Sequence, residues 1–124
     1  MMYEGFFVYD RLTGRLARDI SNKHVTTEFR PAKSHESLYG KRAIFRVIGY
    51  ANDGKNEGYK VELVSCEARE LEDLYKAIPV PHLTLSVSED GKPVNTARLN
   101  FQPIKYSFEI QAVFGGFTPE GVVV

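Results

Sequence analysis

The sequence predicts an α+β fold, a mainly antiparallel sheet with helices on its outside. Three observations carry that expectation. Most segments alternate apolar and polar residues. One segment combines helical spacing with strong helix formers. The joints are short and rich in Gly, Asn, Asp and Pro. The 124 residues suffice for one domain, residues 1–124, around a single core.

Along the chain, residues 3–10 (YEGFFVYD) are aromatic and β-branched and read as a strand, ended by Asp10 and a turn around Gly14. Residues 11–23 suit a short helix. Residues 23–29 (KHVTTEF) read as a second strand, stopped by Pro31, and residues 31–41 as a polar loop. Two strands follow, RAIFRVIGYA and EGYKVELVS, joined by the hairpin turn NDGKNEG. CEARELEDLYKAI reads as a helix, with Leu71, Leu74 and Ile78 at helical spacing. HLTLSVS alternates as a strand, with Leu83, Leu85 and Val87 on its buried side. EDGKPVNTARLN reads as a loop with one helical turn. KYSFEIQAVFGG alternates again, placing Tyr106, Phe108, Ile110, Ala112 and Phe114 on one face. FTPEGVVV adds a last edge strand.

Composition excludes several classes. Sixteen Lys and Arg balance sixteen Asp and Glu, which argues against broad wrapping of duplex nucleic acid but leaves room for a local phosphate pocket. The single cysteine, Cys66, excludes a disulfide framework within the chain and argues against a cysteine-based zinc site. No signal peptide or membrane-spanning run is visible, so a soluble cytoplasmic protein with no membrane partner is expected.

Two of the three histidines stand in His-apolar-Thr triplets, His24-Val25-Thr26 and His82-Leu83-Thr84. Residues two apart in a strand share a face. Each triplet therefore presents an imidazole beside a hydroxyl while Val25 or Leu83 anchors the strand behind. Two histidines can take and give protons near neutral pH, as phosphodiester cleavage requires. Threonine hydroxyls can donate to the nonbridging oxygens where charge develops. His24 and His82 are thus candidate catalytic residues, with Thr26 and Thr84 as phosphate ligands, and neither a metal nor another cofactor is required.

Paired His-x-[Ser/Thr] motifs on strands resemble those of the 2H phosphoesterase superfamily. The chain looks most like the cyclic phosphodiesterase domains of fungal and plant tRNA ligases. HVT at His24 is similar to their first motif, and VPHLTLSV from Val80 to their second, including the preceding Pro81. GKPVNTARL from Gly91 resembles the loop that follows it. The resemblance implies a bilobal α+β fold, mainly antiparallel sheets with outer helices and an active-site groove between pseudo-twofold lobes. It implies hydrolysis of 2',3'-cyclic phosphates on RNA ends or nucleotides, with His82 as base and His24 as acid for a product keeping a 2'-phosphate.

Other residues carry weaker expectations. Arg30 and Lys33 after the first motif, and Lys92 and Asn95 after the second, are placed to meet phosphate or to remain solvated loop groups. Tyr9, Phe7 and Tyr3 share a strand face from which a ring can stack on a base or pack in the core. His35, in SHES, reads as solvated. The substrate expected is an RNA terminus or a nucleotide carrying a cyclic phosphate. A hydrolase of a cyclic oligonucleotide signal, a non-catalytic nucleotide-binding module and a structural protein with chance triplets remain as alternatives.

Overall fold

The structure, a computed structural model, describes residues 1–9 and 24–124. The helix expected within residues 11–23 and the turn at Gly14 lie outside the described residues. The strands are β1 (Tyr3–Val8), β2 (His24–Phe29), β3 (Arg42–Asn52), β4 (Asn56–Cys66), β5 (His82–Val87), β6 (Gln102–Thr118) and β7 (Gly121–Val123). One helix, α1 (Arg69–Lys76), links β4 to β5, and 3-10 turns occupy Glu36–Leu38 and Pro93–Arg98. No helix among the described residues is long and apolar enough to cross a membrane.

The seven strands among the described residues form one antiparallel sheet, in the order β2-β1-β6-β3-β4-β5, with β7 added to β6. The two ends of that order, β2 and β5, come back into contact, so the sheet curls into a nearly closed six-strand barrel. This corrects the expected bilobal α+β fold with outer helices. The reason lies in β6. Its residues pair with β3 from Gln102 to Val113 and with β1 from Ala112 to Phe117. One continuous strand stitches the two halves together, so they share one sheet and one interior.

Alternation decides which side chains enter that interior. Phe6, Val25, Phe45, Val47, Val61, Leu83, Ala112 and Phe114 point inward from all six barrel strands and are buried. Fully burying a Val, Leu or Phe contributes roughly 1.5–3 kcal/mol, so this cluster dominates the stability. Leu38 and, from α1, Leu71 complete it. Glu70 and Glu72 sit in the first turn of α1, where the helix dipole favours acids, and Lys76 pairs with Glu72 at 3.1 Å. The face expected on β6 divides: Ala112 and Phe114 are core, Ile110 packs at its margin, but Tyr106 and Phe108 are exposed.

Candidate active site

The two His-x-Thr strands are the two ends of the sheet, and each is held by a neighbour with a similar sequence. In β1 the run is Glu4-Gly5-Phe6-Phe7-Val8, and in β4 it is Glu57-Gly58-Tyr59-Lys60-Val61. Phe7 lies opposite His24 and Gly5 opposite Thr26. Lys60 lies opposite His82 and Gly58 opposite Thr84. A β-bulge follows each threonine, leaving Thr27 and Leu85 without a register partner. The order β2-β1-β6 on one side of the barrel thus mirrors β5-β4-β3 on the other. Both motif strands are set by the same local device.

The glycines make that device possible. A Cβ on Gly5 would collide with the Val25 carbonyl oxygen and approach the Thr26 Cα to 3.0 Å. A Cβ on Gly58 would lie 3.1 Å from the equivalent Leu83 carbonyl oxygen and 2.6 Å from Thr96 Cγ2. At the bulge β2 therefore lies closer to β1 than a side chain would permit, while at Gly58 it is the Pro93–Arg98 turn that comes this close to β4, with β5 in tight contact.

Val25 and Leu83 point into the core, so His24, Thr26, His82 and Thr84 face outward beside the seam. The four line one cleft of about 130 Å³, closed by Phe29 and by Pro93, Val94 and Ala97 of the second 3-10 turn. That turn is clamped to β4 by the buried Asn56, whose Nδ2 donates to the Lys92 carbonyl at 2.8 Å and to Thr96 Oγ1 at 2.9 Å. The loop after the second motif thereby becomes a wall of the cleft.

The histidines have distinct surroundings. His82 Nδ1 lies 2.7 Å from the Val80 carbonyl oxygen. A carbonyl only accepts, so Nδ1 carries the hydrogen and the neutral ring keeps its lone pair on Nε2. The His24 ring stacks on Tyr3, with centroids 4.6 Å apart and planes at 22°, and Phe7 is 5.9 Å away. Burial raises the Tyr3 phenol above its ordinary pKa.

The remaining candidates are dispersed. Arg30, with φ 46°, lines an adjoining cleft that also includes His24, Phe29 and Pro93. Lys33 is exposed in the loop after β2 and lines neither cleft. Lys92 is exposed at the base of the wall and meets Asn56 through its backbone. Tyr9 stands apart: its hydroxyl donates to Gln111 Oε1 at 2.8 Å, and Arg42 lies over its ring. Pairing of Phe7 with His24 places Tyr9 beyond the end of β2, in a separate pocket of about 280 Å³ that contains neither histidine.

His35, expected to be solvated, is instead tied to a buried carboxylate. Glu4 accepts from His35 N at 2.7 Å and Tyr39 Oη at 2.6 Å, with His35 Nδ1 2.8 Å from its other oxygen. Burial would raise the Glu4 carboxyl, but the hydrogen bonds from His35 and Tyr39 outweigh it and hold the pKa below 4.5. Burial, then the bond to Glu4, pushes the Tyr39 phenol well up.

Phe29 and Lys60 were not singled out in the sequence. Strict alternation would put Phe29 on the Val25 face, inside the core. The bulge at Thr27 switches it to the outer face, opposite Tyr3, where it is 68% exposed. Lys60 gains its place beside His82 only through strand pairing.

Fold and site together define a single curled antiparallel barrel with a two-histidine cleft at its seam. Compared with protein-family models and with curated proteins, the chain matches none.

Proposed function

We propose that the chain is a metal-independent phosphodiesterase that opens 2',3'-cyclic phosphates at RNA or oligonucleotide ends. The observation that carries this reading is the convergence of both histidines and both threonines on one cleft. The motif resemblance to the 2H phosphoesterases supports the same chemistry. It does so at the level of the site, where function resides, and not of the fold.

In this reading His82 is the base, because its Nδ1–H is engaged by the Val80 carbonyl and Nε2 is left to accept. Nε2 takes a proton from water as the water oxygen attacks phosphorus. The bond from phosphorus to the 3' oxygen breaks, and His24 gives that oxygen its proton. The product is a 2'-phosphate with a free 3' hydroxyl. Thr26 and Thr84 donate to the nonbridging oxygens, whose charge grows in the transition state. Acid–base catalysis of this kind typically supplies about 100- to 10,000-fold per group.

The test is a substrate panel in the presence of EDTA: 2',3'-cyclic nucleotides, short RNAs ending in a cyclic phosphate, and cyclic dinucleotides. Turnover of the first two to 2'-phosphates is expected. Turnover of cyclic dinucleotides alone, or an absolute need for a divalent ion, would contradict the proposal.

A further inference from the structure

Beside the two-histidine cleft lies a larger one of about 640 Å³, a volume typical of small-molecule sites. The two share His24, Phe29 and Pro93, so they adjoin. Strand register builds its floor. Phe29 on β2, Tyr3 on β1 and Phe117 on β6 lie side by side across three neighbouring strands. Tyr3 and Phe117 stack with centroids 5.2 Å apart and planes at 7°, and Tyr3 meets Phe29 edge-on at 5.9 Å. The Tyr3 ring already stacks on both His24 and Phe117, whereas Phe29 is 68% exposed. Burying exposed aromatic surface is favourable, and a ring that stays uncovered beside a polar cleft suits a planar partner.

We infer that this cleft is a stacking subsite for the base of the nucleotide whose phosphate lies between His24 and His82. The inference rests on the phosphodiesterase reading and adds a substrate preference to it. Apart from His24 and Arg30, the side chains lining it are aromatic rings, methionines and a proline. They hold the face of a base and offer few groups to read its hydrogen-bonding edge. Stacking is tolerant of base identity and grows with ring area. The subsite therefore favours purines over pyrimidines and scarcely separates adenine from guanine. Arg30 is the one Lys or Arg among the lining residues, so a further phosphate of an oligonucleotide would meet its charge there.

Direct binding tests this without turnover. Adenosine, guanosine and cytidine 2'-phosphates and a base-free methylriboside 2-phosphate are titrated by calorimetry into wild type, Phe29→Ala and Phe29→Trp. Wild type should bind the two purine probes alike and about tenfold more tightly than the base-free probe, with cytidine between. Phe29→Ala should erase the advantage of the purine probes over the base-free probe, and Phe29→Trp should keep it. Phe29 is exposed, so neither change threatens folding. Equal affinity for all probes, an advantage that survives Phe29→Ala, or no purine binding at millimolar concentration would overturn the subsite. Base-dependent binding without cyclic-phosphate turnover would instead leave the subsite standing and sink the phosphodiesterase reading.

Discussion

His35 also precedes a hydroxyl side chain two positions on, Ser37, so spacing alone does not separate it from His24 and His82. Strand context does. His24 and His82 each open a strand whose next residue is core, whereas His35 precedes the Glu36–Leu38 turn and serves Glu4. Alanine at His24 or His82 should cost about 100- to 10,000-fold in turnover while the circular dichroism spectrum stays intact. Alanine at Thr26 or Thr84 should cost about 3–4 kcal/mol of transition-state stabilisation at most. His35→Ala should leave turnover close to wild type but lower the melting temperature, because it strips a hydrogen bond from a buried carboxylate. Glu4→Gln should cost about 2–3 kcal/mol in urea denaturation, since it strands hydrogen-bond donors around a buried site. The sign of the pH dependence follows from its lowered pKa. Above 4.5 the folded and unfolded chains both carry the carboxylate, and its stabilisation is fully present. As pH falls below 4.5 the unfolded chain takes the proton first, and stability declines until Glu4 is protonated in the fold. Glu4→Gln should flatten that acid limb, and an unchanged limb would show that other carboxylates set it.

Among elements, the glycine-plus-bulge arrangement predicts a matched pair of effects. Gly5→Ala should push β2 from β1, and Gly58→Ala should push β5 and the wall turn from β4. Overpacking of this kind costs about 1–3 kcal/mol, so both variants should melt earlier. Because Thr26 and Thr84 lie directly opposite these glycines, both should also lose turnover beyond the stability change, measured well below the melting temperature. Full activity in either folded variant would show that the close approach does not position the site. These elements also mark how far the sequence could be read. Alternation, β-rich composition and turn residues located the strands, and the two triplets exposed four residues that line one cleft. The bulges were hidden: one extra residue changes the face of everything after it, moving Phe29 outward and ending the alternation assumed for Leu85 and Val87. The repeated Glu-Gly-aromatic-x-Val run was visible in the chain, but only strand pairing gives it a meaning.

At the scale of the whole molecule, the architecture was the least legible part. Periodicity says which face of a strand is apolar and not which strand lies beside it, so one curled sheet and two separate lobes write the same pattern. The 17-residue β6 decides between them, pairing with both halves. It also sets the geometry of the candidate site. The curl of the sheet brings its two ends together and sets the motif strands against each other. A cleft made this way belongs to neither half, so catalysis and global folding should be lost together in denaturant, with turnover and near-ultraviolet dichroism following one transition. In the proposed reaction His24 and His82 act as acid and base on one phosphate. The most direct measurement is the pH dependence of kcat/KM on a 2',3'-cyclic nucleotide for wild type, His24→Ala and His82→Ala. One ring must start neutral and the other charged, so wild type should give a bell. His82→Ala should be slow and lose the acid limb, where the base must deprotonate, and His24→Ala should be slow and lose the alkaline limb. A bell that persists in both variants, or variants as fast as wild type, would contradict it.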